Sequence, residues 1–343
     1  MTNCHESTLQ RLLEASCSAE ESAALLHTVH VSPFVVGRVG NDVPRAVLAQ
    51  ALNLLLFRDL LARVPTGRSY VEDVVAQGRR VVFDHGALRT VALGGMGALP
   101  AGEAAITRVL RPLGYKMSRV YPLDRLGMTG RSYTHLDFPE ELPQFFVSEL
   151  HPERFSPAFQ EAVERVTASS RDPLSDEAKR ALQELSVRGS LSFDEVRTLL
   201  PELVTCFQRQ HANPSWSDYE TLRAESAEMA WIATEGNVFN HATDRVACLK
   251  DVVAEQRRLG RPMKDTIEVS RSGRVRQTAF RADPVEREFV GEDSGVVRRS
   301  VPGSFYEFIQ REKMRDAVTG HWRLDLAFDS SNAQGIFKMT AAA

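Results

Sequence analysis

Two short stretches of the sequence carry a histidine and an arginine at the same spacing. Residues 84–90 read DHGALRT and residues 240–246 read NHATDRV, so that Arg89 follows His85 and Arg245 follows His241 by four positions. Two imidazoles that meet in space make half of a metal site. A carboxylate beside them completes the two-histidine, one-carboxylate face that is typical of non-haem iron oxygenases. The repeat therefore suggests a metal centre assembled from distant parts of the chain.

The carboxylate that best fits this hypothesis is Glu307, in the segment SFYEFIQRE. On a strand, Glu307 shares one face with Phe305, and apolar residues surround both. A lone glutamate inside an apolar strand is costly unless it is paired or bound to a metal ion. Glu149, in FFVSEL, is the second candidate, as the expected counterpart in the other half.

The arginines of the repeat suggest a role in substrate binding. On an extended strand the even offset places Arg89 on the same face as His85, where a guanidinium can bind both oxygens of a substrate carboxylate. Arg245 either does the same or holds an Asp or Glu in the fold. Structural alternatives stay open for each residue: a hydrogen-bonded core histidine, a structural ion pair of Arg89, or an internal salt bridge of Glu307.

The elements that would position these residues fall into four ranges. Residues 1–80 are predicted to be mainly helical and packed on the core, with the helix of residues 43–64 ending at PTG (65–67). Residues 81–150 form a first β-rich unit, and residues 236–343 form a second, whose last strand contains Glu307. Between them, residues 151–235 are a helical insertion, in which Ser156, Ser175 and Ser192 precede helical patterns and are suitable caps.

The two β-rich units also match beyond the repeated histidine. In each, the strand is followed by a helical segment that ends in Leu-Gly, at Gly114 in RPLG and at Gly260 in RRLG. We therefore predict an internal duplication and an α+β fold, in which duplicated βα-β units form one curved β-sheet around a metal site. The first strands of the units would be related by a pseudo-twofold axis, with His85 facing His241.

Composition excludes several classes of function. Of 343 residues, 43% are hydrophobic and 25% charged, which is typical of a globular protein. The net charge of −3 gives no basic excess for nucleic-acid binding, and no apolar run reaches the length of a membrane span. Four dispersed cysteines favour reduced thiols and a cytoplasmic location. The loop GGMGAL lacks the frame of a phosphate-binding loop.

Several segments together resemble the 2-oxoadipate dioxygenase/decarboxylase family, also called 2-hydroxyglutarate synthase. They are DHGALRTV, RSYTHLDFPEELPQFFVSELHPERFS, FNHATDRV, GSFYEFIQRE and SNAQGIFKMT. The resemblance extends from about residue 30 to the C-terminus. The family is distantly related to the vicinal-oxygen-chelate enzymes, such as glyoxalases and 4-hydroxyphenylpyruvate dioxygenase, and this implies a fold of that kind.

The resemblance also implies a site and a reaction. It implies that His85, His241 and Glu307 bind Fe(II), that Arg89 is a catalytic residue that binds a substrate carboxylate, and that Ser331 contacts the substrate through its backbone. The implied reaction converts 2-oxoadipate and O₂ to 2-hydroxyglutarate and CO₂, without a separate 2-oxoglutarate, as a step of lysine catabolism.

Two other functions stay open at this point. A glyoxalase-like lyase or isomerase on the same fold would use the same ligands for Zn or Ni and would consume no oxygen. A non-catalytic protein that binds small molecules could be built from the same duplicated units without holding a metal.

Overall fold

The computed structural model describes residues 7–37 and 40–329. Within those residues, no helix combines the length and the apolar character needed to cross a membrane. The α-helices are α1 (Thr8–Glu14), α2 (Ala19–Thr28), α3 (Arg45–Arg63), α4 (Pro65–Ala76), α5 (Ala104–Leu110), α6 (Pro157–Thr167), α7 (Asp176–Arg188), α8 (Phe193–Thr205), α9 (Trp216–Glu225), α10 (Ala227–Glu235) and α11 (Leu249–Arg258).

The strands form one large sheet and three short two-stranded sheets. They are β1 (Asp42–Pro44), β2 (Phe83–Val91), β3 (Tyr115–Leu123), β4 (Met128–His135), β5 (Gln144–Leu150), β6 (Ser190–Ser192), β7 (Phe239–Arg245), β8 (Glu268–Val269), β9 (Val275–Ala279), β10 (Pro284–Val290), β11 (Val296–Pro302), β12 (Phe305–Arg311), β13 (Lys313–Arg315) and β14 (Trp322–Leu324).

The large sheet repeats one strand order on either side of its centre. Its eight strands run β3-β4-β5-β2-β7-β12-β9-β8. The central strands β2 and β7 are antiparallel, and each lies parallel to the last strand that its own unit adds to this sheet, β5 or β12. The first unit follows the chain as β2, α5, β3, β4, β5 and the second as β7, α11, β8, β9, β12. The predicted α+β fold with duplicated βα-β units around a curved sheet is therefore confirmed.

The N-terminal helices cover one face of this sheet, and the candidate metal ligands lie on the other face. Tyr306 and Phe308 of β12 point toward the N-terminal helices, where Tyr70 of α4 lies 4.7 Å from Phe308 between ring centroids. Because side chains alternate along a strand, Glu307 points the opposite way. The face toward the N-terminal helices thus holds an apolar core, and β12 presents its carboxylate on the other face.

The serine caps predicted for the insertion are present. Ser156, Ser175 and Ser192 each accept a hydrogen bond from the backbone amide three residues later, and Ser192 completes a capping box with Glu195. The four sequence ranges share packed cores, and their division into domains stays a prediction.

Three local features differ from the sequence-based expectation. PTG follows α3, but Pro65 also begins α4, where its missing N–H costs nothing at the first helical position. A hairpin of β10 and β11 is inserted between β9 and β12. The strand that contains Glu307 is not the last, because the short pair β13 and β14 follows it.

Close packing at the centre of the sheet generates a prediction about Gly86, which follows His85 on β2. A Cβ added there would lie 2.3 Å from the Phe239 ring of β7, far inside van der Waals contact. We expect Gly86→Ala to lower the free energy of unfolding by about 1–3 kcal/mol, because the central strands must move apart. Urea unfolding would measure it. Gly94→Ala is the matched control, since nothing lies within 4 Å of its Cβ position; equal stability of the two variants would contradict the prediction.

Candidate metal centre

The central strands bring His85, His241 and Glu307 to one face of the sheet. In the antiparallel pair of β2 and β7, His85 lies opposite Thr243, and Ala87 lies opposite His241. In the parallel pair of β7 and β12, Thr243 lies beside Glu307. The two imidazoles therefore lie diagonally across the pseudo-twofold axis, two register positions apart, and the carboxylate comes from the adjacent strand.

The distances are those of a compact three-ligand cluster. Nε2 of His241 lies 2.9 Å from Oε2 of Glu307, and Nε2 of His85 lies 3.7 Å from the same oxygen. The imidazole centroids are 5.5 Å apart. One potential ligand atom from each residue falls within 4.8 Å of the other two, and all three residues are buried. Within residues 7–37 and 40–329, this is the one group of three or more such side chains with that geometry.

A β-bulge before each histidine supplies a hydrogen-bond partner for its ring. The pairing of β2 with β7 shifts once between Phe83 and His85, which makes Asp84 the extra residue, and again at Asn240 of β7. Because a bulge re-aims a side chain, Asp84 Oδ1 reaches Nδ1 of His85 at 2.8 Å, and Asn240 Nδ2 reaches Nδ1 of His241 at 2.9 Å. Each bulge thus leaves Nε2 of its histidine directed toward Glu307.

The environment favours the protonation states that a metal site needs. Burial lowers the pKa of His241, which favours the neutral imidazole that a metal ligand requires. Burial alone would raise the pKa of Glu307, but His241, His85 and the hydroxyl of Thr243 outweigh it and lower that pKa. A neutral His241 beside an ionised Glu307 suits a metal site.

The remaining carboxylate oxygen supports metal binding. Oε1 of Glu307 is buried and has no hydrogen-bond partner within the described part of the chain. A buried carboxylate oxygen without a partner is costly, and a divalent cation among the three side chains would remove that cost. Two imidazole nitrogens and a carboxylate suit iron, and Zn and Ni also accept such ligands.

A cavity opens directly beside the cluster. About 420 Å³ there is not filled by atoms, including space open to solvent, and about 30 Å³ accepts the centre of a water-sized sphere. The surface is largely apolar. The lining residues are His85, Ala87, Phe146, Ser148, Asn240, His241, Gln277, Glu307, Phe328 and Asp329. A small polar molecule held there would meet the metal ligands at one end and mostly apolar walls elsewhere.

Arg89 lies beyond this cavity, on the same strand as His85. Its register partner on β5 is Ser148, which does line the cavity. The Arg89 side chain is fully buried, with its guanidinium carbon 4.9 Å from the ring centroid of Trp231 in α10. Burial lowers its pKa to about 10, partly offset by Glu228, so that the guanidinium keeps its charge at neutral pH. The sequence placed Arg89 on the correct face but gave no sign of its aromatic neighbour.

The other sequence-based candidates lie elsewhere. Glu149 faces away from the cluster, where its carboxylate accepts hydrogen bonds from the Glu103 amide and from Arg131. Arg245 points toward Asp84, with Nε 3.9 Å from Oδ2, which matches the alternative that it holds an acidic residue in the fold. Ser331 lies outside the described residues.

Several residues of the site were not selected from the sequence. Asp84 and Asn240 were visible only as small polar residues before each histidine. Thr243 donates to Oε2 of Glu307 at 3.2 Å, and its position two residues after His241 was the available signal. Gln277 and Phe328 had no signal, because the strand pairing and the chain path after β14 bring them in.

This geometry predicts which side chains a metal ion needs. We expect His85→Ala, His241→Ala and Glu307→Gln each to weaken Co²⁺ or Fe²⁺ binding at least 100-fold, because each removes one of three ligands. Titration of the metal-free protein under nitrogen, with a competing chelator, would measure the affinity. Glu149→Gln is the matched control and should bind like the wild type. Unchanged affinity in the Glu307→Gln variant would contradict the ligand set.

Comparisons with known proteins agree on one family. Residues 55–338 match the model of the 2-oxoadipate dioxygenase/decarboxylase family. The chloroplastic/amyloplastic 2-oxoadipate dioxygenase/decarboxylase of Oryza sativa is 24% identical, over 82% of this chain and 75% of that protein. The corresponding chloroplastic protein of Arabidopsis thaliana is also 24% identical, over 86% of this chain and 77% of its own.

Two solved structures show the same fold. A glyoxalase-superfamily protein from Ralstonia eutropha JMP134 is 55% identical, with a TM-score of 0.88, over 94% of this chain and 98% of that one. The hydroxyglutarate synthase of Oryza sativa, solved with 2-oxoadipate, is 18% identical, with a TM-score of 0.66, over 92% and 98% of the two chains. With the family model matching most of its length, the chain belongs to the 2-oxoadipate dioxygenase/decarboxylase family.

Proposed function

We propose that this protein is an Fe(II)-dependent dioxygenase that decarboxylates a 2-oxo dicarboxylic acid, with 2-oxoadipate as the substrate and 2-hydroxyglutarate and CO₂ as products. O₂ is the second substrate, and the reaction belongs to lysine catabolism. The 2-oxo acid serves as its own co-substrate, so that no second oxo acid is required.

The proposal rests on one observation: His85, His241 and Glu307 converge beside a mostly apolar cavity in a member of this family. These three residues would hold ferrous iron from one side and leave its other side accessible to an oxo acid and O₂. Iron bound there would supply Lewis acidity toward the oxo acid and redox chemistry toward O₂.

The residues around the cluster would perform the remaining tasks. Asp84 and Asn240 hold the imidazole rings so that Nε2 of each faces the metal position. Ala87, Phe146 and Phe328 make the cavity apolar. An apolar wall excludes water, which protects reactive species from side reactions.

Arg89 is proposed to bind the distal carboxylate of the substrate. At a rise of about 3.3 Å per residue, its Cα lies about 13 Å along β2 from that of His85. It is therefore suited to the end of an extended diacid that lies far from the metal. The guanidinium is buried and charged, and a buried guanidinium binds a carboxylate strongly through two parallel hydrogen bonds.

The reaction itself is tested with an oxygen electrode. With Fe²⁺ and 2-oxoadipate we expect one O₂ consumed for each CO₂ released, and 2-hydroxyglutarate detected by mass. The Glu307→Gln variant, which keeps the shape of the side chain, is the control and should show neither. Turnover of the oxo acid with no oxygen uptake would overturn the proposal and favour a glyoxalase-like lyase or isomerase. A protein without turnover or metal would favour a binding function.

The proposed role of Arg89 is tested with two substrates. We expect Arg89→Gln to raise the KM for 2-oxoadipate at least tenfold, equivalent to about 1.4 kcal/mol of binding. The KM for 2-oxohexanoate, which lacks the distal carboxylate, should change less than twofold. Steady-state kinetics would provide both values. An equal effect on the two substrates, or loss of metal from the variant, would assign Arg89 a different role.

A further inference from the structure

The third ligand candidate is also followed by an arginine four positions later. Glu307 precedes Arg311, as His85 precedes Arg89 and His241 precedes Arg245. The three arginines have different surroundings, however. Arg89 packs on Trp231, and Arg245 reaches Asp84 only at 3.9 Å, from a partly exposed position. Arg311 has a fully buried side chain that forms a 2.9 Å ion pair with Asp84.

All three nitrogens of the Arg311 guanidinium are engaged. Nε and Nη2 donate to the carboxylate of Asp84 at 2.9–3.1 Å. Nη1 donates to the backbone carbonyl oxygens of Asp325 and Ala327, at 2.9 Å each. The guanidinium thus binds both Asp84 of β2 and a segment that lies 14–16 positions beyond Arg311 in the chain. A lysine, with one nitrogen, cannot reproduce this arrangement.

One arm of this network leads to the first metal ligand. The Asp84 carboxylate that Arg311 binds is also the partner of Nδ1 of His85, at 2.8 Å. Such a carboxylate fixes both the orientation of the ring and the nitrogen that carries the proton, and its loss typically costs 10–100-fold in metal affinity. Arg311 therefore acts on His85 through Asp84, without touching the metal position itself.

The other arm leads to the wall of the cavity. We use "cavity wall" for residues 325–329, whose Phe328 and Asp329 line the cavity. The Phe328 ring lies 4.8 Å from that of His85 and 5.2 Å from that of Phe146, and its amide donates to the Tyr121 hydroxyl. The Arg311 guanidinium carbon lies 4.9 Å from the Phe328 ring. The backbone carbonyl groups that Arg311 binds, those of Asp325 and Ala327, come just before Phe328 in the chain.

We propose that Arg311 is a positioning residue that links metal binding to closure of the cavity: it fixes His85 through Asp84 and, with the same guanidinium, fixes the cavity wall that carries Phe328. The part of this inference that concerns metal binding rests on the proposed function, whereas the part that concerns the cavity wall does not. Because both sets of hydrogen bonds come from one side chain, metal binding at His85 would stabilise the ordered wall. An ordered wall would strengthen metal binding by the same amount, since such coupling is reciprocal.

The experiment uses two readouts, neither of which is activity. The first is the Co²⁺ affinity of the full chain, from competition with a chelator. The second is hydrogen–deuterium exchange of the wall amides in metal-free protein, by mass spectrometry. We expect Arg311→Lys to weaken Co²⁺ binding at least tenfold and to speed wall exchange at least fivefold. A folded variant in which either value stays within twofold of the wild type would overturn the proposal.

Arg274→Gln is the matched control. Arg274 also holds the wall, through the Asp325 carboxylate at 2.8 Å, but no hydrogen bond or ion pair between Arg274 and Asp84 is present in the described chain. We expect this variant to speed wall exchange and leave Co²⁺ affinity within twofold. A tenfold loss of affinity in this control would mean that any loosening of the wall releases metal, which would overturn the route through Asp84.

A second variant keeps the test decisive if Arg311→Lys does not fold. Asp84→Asn retains the shape of the partner but not its charge. In the wild type, we expect saturating Co²⁺ to slow hydrogen exchange of the wall amides. In Asp84→Asn, we expect Co²⁺ to bind more weakly and no longer to slow that exchange. If Co²⁺ still slows it, the linkage is overturned. Failure of the wild type to bind Co²⁺ would instead reject the proposed metal site, while exchange in the metal-free variants would still test the wall.

Discussion

The structure depends on partners that compensate the buried negative charge of Glu307, whose carboxylate has no exposed surface. Glu307 lies in the middle of an apolar strand, and burying its charge without partners would cost far more than the hydrophobic burial of its neighbours supplies. Two imidazoles and the Thr243 hydroxyl surround one of its oxygens, and the other has no protein partner among the described residues. A cation at this position would complete the compensation, so the arrangement of these side chains suits a metal site.

The duplicated architecture explains how residues so far apart in sequence come together. A pseudo-twofold axis between β2 and β7 makes the two histidine strands antiparallel neighbours, and a bulge precedes the histidine on each. The symmetry is broken where chemistry requires it. Phe146 occupies the position in the first unit that Glu307 occupies in the second, so one half supplies an aromatic wall and the other the carboxylate.

Much of this arrangement could be predicted from the sequence, because strand alternation and the repeated histidine motif are local patterns. They predicted the fold and the convergence of the two histidines with Glu307, which the structure brings together. The choice of Glu149 as the counterpart failed because that residue is three positions from Phe146, and an odd offset on a strand reverses the face. The contacts that Arg89, Asp84 and Phe328 make were not predictable, because they join residues that are distant in sequence. A helix of the insertion contacts Arg89, a bulge orients Asp84, and an irregular segment carries Phe328.

We propose that three side chains bind one ferrous ion. Anomalous X-ray diffraction at the iron edge, from crystals loaded with Fe²⁺ under nitrogen, would locate that ion. We expect a single strong peak about 2.0–2.2 Å from Nε2 of His85, Nε2 of His241 and an oxygen of Glu307. An iron peak elsewhere in the molecule, or none among these three residues at saturating Fe²⁺, would contradict it.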